Sequence, residues 1–288
     1  MKLARYRHQG HTTLGAVRDQ QVVPLSLLAD DVPASLKAVL AAGAPLLQRL
    51  SAALAAAPAD AGVALSAVEL LAPIDDAQKF LAIGMNYQDH AEEARRAGVP
   101  VPTSQLWFNK QVSCINGPYA GIELPKVSDK LDYEAELGVV IGRRCRHVAR
   151  EDAQAVIGGY LVMNDVTVRD WQQRSPTFTL GKSFDTHGPM GPWLTTADEV
   201  PDPHALQLTL SVNGEPRQSA STGGMIYDIY EQIAYLSTVM TLEPGDLIAT
   251  GTPANVGIAL GKFLKVGDRV RVEVSGLGAI ENEVVPEA

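Results

Sequence analysis

The stretch LDYEAELGVVIG, residues 131 to 142, sets the hardest condition on any fold for this chain. Its two-residue periodicity predicts a strand, with Asp132, Glu134 and Glu136 on one face and Tyr133, Ala135, Leu137 and Val139 on the other. The apolar run continues through Val140 and Ile141, so the strand is expected to enter a core. A buried carboxylate is costly unless a charge or a metal compensates it. Two same-face Glu residues cannot pair with each other, and like charges this close repel. A hard divalent cation resolves the conflict, because Mg²⁺ and Mn²⁺ prefer oxygen ligands. Asp165, at the end of the apolar stretch YLVMND, is placed as a third ligand would be. On pattern alone a plainer reading stays open: Glu-x-Glu also describes the solvated face of an edge strand, and Asp165 a turn or helix cap.

The rest of the chain reads as many short strands with fewer helices. KLARYRHQ and TTLGAVRDQQVVPL predict strands with a polar turn near Asp19–Gln20, and residues 33–57 predict two helices broken at Gly43–Pro45. Residues 1–72 are expected to form a small N-terminal α+β domain, and 73–288 the domain that carries chemistry. There, KFLAIG, SQLWFNK, YEAELGVVIG and YLVMNDVT predict strands, and LQLTLSVNGEPRQSAS predicts a hairpin turning at Asn213–Gly214. NYQDHAEEARRAG, REDAQAVIGG and MIYDIYEQIAYLSTVM predict helices, RDWQQR a helical turn, and DRVRVEVSGLGAIENEV a closing strand pair. Strands and helices do not alternate regularly, which predicts a mixed, β-rich α+β fold.

Charge and hydropathy exclude several function classes. The 288 residues carry 33 acids against 24 bases, a net charge of −9 with no basic block, which disfavours nucleic acid as a partner. No stretch approaches the ~20 apolar residues that span a bilayer. The N-terminus lacks the apolar core of a signal peptide, and Cys114 and Cys145 form no metal or disulfide pattern, so a soluble protein of the reducing cytoplasm is expected.

Five segments in order carry a resemblance: IGMNYQDHAEEA, LDYEAELGVVIG, MNDVTVRDWQQR, LGKSFDTHGPMGPW and ATGTPANVG. Together they resemble the fumarylacetoacetate hydrolase superfamily over about residues 73–285, and residues 1–72 resemble the small extra domain of its bacterial members. The resemblance implies a mixed β-roll and a homodimer. It implies Glu134, Glu136 and Asp165 as the ligands of Mg²⁺ or Mn²⁺, with Asp132 a salt-bridged or hydrated neighbour outside the ligand set. His90 and Glu93, three apart on one helical face, match the family's acid–base pair, and Lys182 its catalytic lysine. Arg169 and Gln172, at +4 and +7 from Asp165 and so expected on one helical face with it, match substrate-contacting positions; Thr252, in a Gly-rich loop, and Lys110 are further pocket candidates. Met85 stands where many relatives carry Arg or another residue.

The implied activity is metal-dependent hydrolysis of a C–C bond in an acylpyruvate-type 2,4-dioxo acid, releasing pyruvate and a carboxylic acid, in sugar-acid or aromatic catabolism. Decarboxylation of oxaloacetate, or isomerisation or hydration of 2-hydroxydienoic acids, would proceed through the same enolate. A fold that has lost its chemistry is disfavoured, because Glu134, Glu136, Asp165 and Lys182 are all present.

Overall fold

A computed structural model describes residues 1–288. The chain opens with β1 (Lys2–His8), β2 (His11–Arg18) and β3 (Gln21–Pro24), then α1 (Leu36–Ala41) and α2 (Ala44–Ala56), separated at Gly43 as the Gly–Ala–Pro break predicts. Short strands β4 (Val63–Ala64) and β5 (Glu69–Leu71) lead to β6 (Phe80–Gly84), α3 (Gln88–Arg96) and β7 (Leu106–Lys110). Next come β8 (Ile115–Asn116), β9 (Ile122–Leu124), β10 (Leu131–Asp132), β11 (Ala135–Ile141), β12 (Ile157–Asn164) and β13 (Thr167–Val168). A one-turn helix α4 (Arg169–Gln172) precedes β14 (Gly188–Thr196) and the hairpin β15 (Gln207–Val212) and β16 (Glu215–Ser221). The chain ends with α5 (Ile229–Val239), β17 (Leu247–Ala249), α6 (Gly257–Leu260), β18 (Arg269–Val274) and β19 (Gly278–Pro286).

The large mixed sheet runs β4-β3-β2-β1-β14-β12-β11-β17-β6-β7. A second, five-stranded sheet runs β16-β15-β18-β19-β9. Strand β11 lies deep in the large sheet, between β12 and β17, and all seven of its residues are buried. Its alternate side chains serve two cores, which is why the sequence reads as one continuous apolar run. Leu137, Val139 and Ile141 join the core made with the second sheet and α5, while Val140 joins the core made with α1, α2 and β14. Gly138 permits the close approach of β12: a Cβ there would lie 2.6 Å from Leu161. The N-terminal strands extend this same sheet, because β1 pairs antiparallel with β14 through Lys2↔Thr195 and Leu3↔Leu194.

Three local expectations are corrected. The strand expected across 131–142 is interrupted at Tyr133–Glu134, because β10 pairs with β13 whereas β11 pairs with β12. The helix expected over REDAQAVIGG is a 3₁₀ helix that ends at Val156, and the segment's last residues, from Ile157, belong to β12. Arg169 and Gln172 do not share a helix with Asp165, since β13 intervenes and α4 begins at Arg169. No helix is long and apolar enough to cross a membrane.

Candidate active site

The interruption in the acidic strand builds the floor of a cavity. Asp165 N–H donates to the Glu134 carbonyl at 2.9 Å, and the Asn164 side chain accepts from Glu134 N–H at 3.0 Å. These bonds clamp the start of one strand to the end of its neighbour. Glu134, Glu136 and Asp165 consequently each present a buried oxygen within 4.8 Å of the other two.

Three buried cations surround four buried carboxylates, counting Asp132. Lys182 Nζ bridges Glu134 Oε2 at 2.7 Å and Asp165 Oδ2 at 2.8 Å. Arg169 pairs through Nη1 with Glu134 at 2.7 Å and through Nε with Asp132 at 2.7 Å. Asp132 also accepts from the backbone N–H groups of Tyr133, Gly257 and Ile258, so it is a fully buried salt-bridged residue that stays outside the triad. Gly257 is needed there, since a Cβ would fall 2.3 Å from Asp132 Oδ1. Glu136 has no cationic partner and accepts only the Gly251 N–H, at 2.7 Å.

The titration shifts follow this division. Burial works against ionisation of Glu134, but Lys182 and Arg169 outweigh it and hold the carboxyl below its usual range. Burial first, then repulsion from Asp165 and Glu134, pushes Glu136 well above the usual carboxylate range. A divalent cation fits this donor set: three hard oxygen ligands from separate residues, in a cluster with one more acid than base. Glu134, Glu136 and Asp165 would hold it.

Above the floor lies a cavity of about 380 Å³. Glu134, Arg169, Lys182 and Thr252 line it below, and His90 and Glu93 line it from α3. Helix α3 buries only small residues, Ala91 and Ala94, so it packs closely while its polar side chains meet the cavity. Asp89 in its first turn and Arg95 and Arg96 in its last turn suit the helix dipole. His90 Nδ1 lies 3.0 Å from Glu93 Oε2, and Glu93 Oε1 accepts the Asn255 N–H at 3.0 Å. Burial opposes ionisation of Glu93, but these two bonds and the charges of His90 and Arg169 together hold its carboxyl below the usual range. Glu93 is therefore a fixed anion that orients the imidazole.

Gln172 also lines the cavity and accepts from Arg169 Nη1 at 3.1 Å. Thr252 Oγ1 accepts from Gln218 Nε2 at 2.9 Å. Lys110, expected at the pocket, lies beneath it. It is fully buried, pairs with Asp165 Oδ1 at 2.7 Å, donates to the Lys182 carbonyl, and does not line the cavity. Its charge supports Asp165 from behind, and Asp165 in turn keeps Lys110 protonated against the cost of burial.

Several residues that hold the site were not anticipated. Gln218 donates to Thr252 and to the carbonyls of Pro253 and Ala254, and accepts from Ala135 N–H, tying the loop to the start of β11. Asn86 bonds Tyr227 and Thr250, anchoring the segment before α3 to the end of β17. Asn164 carries a visible signal, a lone amide ending an apolar strand. Gln218 carries none, because its strand EPRQSAS reads as polar throughout.

Residues 79–285 match the model of the fumarylacetoacetate (FAA) hydrolase C-terminal family, and residues 1–73 match an N-terminal family described as Rv2993c-like. The chain belongs to the fumarylacetoacetate hydrolase family. A Burkholderia cenocepacia relative, provisionally named a hydrolase without a stated substrate, is 50% identical over 204 residues, covering 69% of this chain and 71% of that one. The maleylpyruvate hydrolase of Sphingobium sp. SYK-6, solved with manganese(II) and pyruvate, is 33% identical over the full length of both chains, with a TM-score of 0.84. The 2-hydroxyhepta-2,4-diene-1,7-dioate isomerase of Mycobacterium marinum is 31% identical, covers 100% of this chain and 99% of its own, and has a TM-score of 0.79. Within the fumarylacetoacetate hydrolase family, then, this fold accompanies both bond hydrolysis and isomerisation. The buried acidic triad is the feature of this chain that could bind a metal such as the manganese of the first structure.

Proposed function

We propose that this chain is a divalent-metal-dependent hydrolase of acylpyruvate-type 2,4-dioxo acids, cleaving the C3–C4 bond to give pyruvate and a carboxylic acid. The observation that carries this reading is the His90–Glu93 pair lining the same cavity as Glu134 and Lys182. Hydrolysis needs a base for water; loss of CO₂ from oxaloacetate does not. A cation held by Glu134, Glu136 and Asp165 would supply Lewis-acid polarisation and orient the 2-oxo acid end.

Glu93 takes the Nδ1 proton of His90 as a hydrogen bond, which leaves Nε2 free to accept a proton from water. The water oxygen forms a bond to C4 as His90 removes its proton. The C3–C4 bond then breaks, and its electron pair stays with C3 as the enolate of pyruvate. Return of the proton to C3 completes pyruvate, while C4 leaves as a carboxylic acid. The Lys182 ammonium, at the cavity floor, stabilises negative charge developing on oxygen. Thr252, which lines the cavity, and the adjoining loop would receive the substrate's carboxylate.

The test is a product screen with Mg²⁺, with Mn²⁺ and with chelator, over acylpyruvates, diketo-deoxy sugar acids, oxaloacetate and 2-hydroxydienoates. Pyruvate plus a second acid from a 2,4-dioxo substrate, lost on chelation, is the expected result. Release of CO₂ from oxaloacetate with every dioxo acid left intact would overturn the reading.

A further inference from the structure

The floor of the cavity is charged, but the walls that would face the acyl tail are not. They include Met85, Val99, Leu106, Phe108, Phe178 and Ile258, with the neutral amides of Gln172 and Gln173 beside them. Val99 and Ile258 are among the few large apolar side chains left exposed, at 45% and 39%, and both stand at this cavity. Only three groups lining the cavity can carry positive charge, and each already faces an acid: Lys182 faces Glu134 and Asp165, Arg169 faces Asp132 and Glu134, and His90 faces Glu93. Arg169 Nη2 is buried without a partner, but it belongs to the guanidinium clamped on Glu134 and so serves the end of the substrate held at the floor. On α3, Arg96 pairs with Glu92 in solvent, and neither it nor Arg95 lines the cavity.

We infer that the acyl tail accepted here is uncharged and apolar, an alkyl or aryl group rather than a chain ending in a second carboxylate. The inference rests on the acylpyruvate reading for the head of the substrate and adds the class of its tail. A terminal carboxylate would lose its hydration against these apolar walls with no cation to meet it, and Glu93 would repel it. An alkyl tail would instead remove Val99 and Ile258 from water.

Two comparisons test this with the Mn²⁺-loaded protein. In the first, pentanoylpyruvate and glutarylpyruvate differ only in a methyl or a carboxylate at the tail end. Cleavage of the former is expected to be favoured in kcat/KM by at least about 100-fold. In the second, 2-oxooctanoate and 2-oxosuberate differ in the same way but lack the C4 carbonyl, so calorimetry reads tail preference without catalysis. Tighter binding of 2-oxooctanoate is expected; equal or tighter binding of 2-oxosuberate overturns the inference, whatever the enzyme cleaves. If neither dioxo acid is cleaved, the hydrolase reading falls while the binding ratio still decides the tail. Met85→Arg should lower the binding ratio by about tenfold by placing a cation in the wall. An unchanged ratio in a variant that still binds Mn²⁺ also overturns the inference.

Discussion

The floor and the walls of the cavity solve opposite problems with opposite chemistry. At the floor, Asp132, Glu134, Glu136 and Asp165 are buried against Lys110, Lys182 and Arg169, and almost every charged atom has a fixed partner. Along the walls, Met85, Leu106 and Ile258 make generic apolar contact that any similar side chain could replace. Buried ion pairs are intolerant of losing one member, whereas apolar surface is forgiving. The floor should therefore fail abruptly under mutation and the walls should drift.

The widest separation is expected at Glu136. Glu136→Gln should abolish Mn²⁺ binding in a titration and lower turnover by roughly three orders of magnitude or more. Because Glu136 is the one floor acid without a cationic partner, the same change should leave the metal-free protein no less stable to denaturant. A variant that still bound Mn²⁺ normally would break the contrast at its root.

Asp132→Asn tests the opposite case. It should destabilise the fold by about 3–5 kcal/mol in urea, because Arg169 would remain buried with half its compensation gone. His90→Asn should lower kcat by about 100-fold or more while Mn²⁺ affinity is kept, since the imidazole pairs with Glu93 rather than with the triad and its proposed task is to take a proton from water.

A smaller effect is expected from pH. Burial, reinforced by the charge of Lys110, lowers the pKa of His187 from 6.5 to about 4, although its ring bonds the Glu123 carbonyl. The folded protein keeps this imidazole neutral while the unfolded chain protonates it below 6.5, so its contribution is complete above 6.5 and disappears as pH falls toward 4. Denaturation midpoints should decline over that window, and His187→Gln should flatten the decline. The smallest change is expected at the wall: Ile258→Ala should alter stability by less than about 0.5 kcal/mol while raising KM for an alkyl-tailed substrate.

What the sequence discloses divides along the same line. Acids at two-residue spacing beside an apolar run were legible, as were the Asn213–Gly214 hairpin and the helix carrying His90 and Glu93, because each depends on local periodicity. The interruption at Tyr133–Glu134 was not, because it arises where two pairing partners, β12 and β13, hand over across a turn. Strand β14 was hidden as well: Pro189 and Pro192 lie inside it, and proline argues against a central strand. The position of Lys110 was illegible for a related reason. Alternation along β7 sends its side chain inward, but only the tertiary fold places Asp165 at its end.

The pairing of β1 with β14 reaches beyond the shape of the sheet. Were residues 1–72 removed, β14 would become an open edge, offering its unpaired N–H and C=O groups along Leu194 and Thr195 to any passing strand. The hydrophobic surface now beneath α1 and α2, including Val140 and Leu161, would be bared beside it. The N-terminal segment thus keeps this seam of the sheet occupied by its own chain.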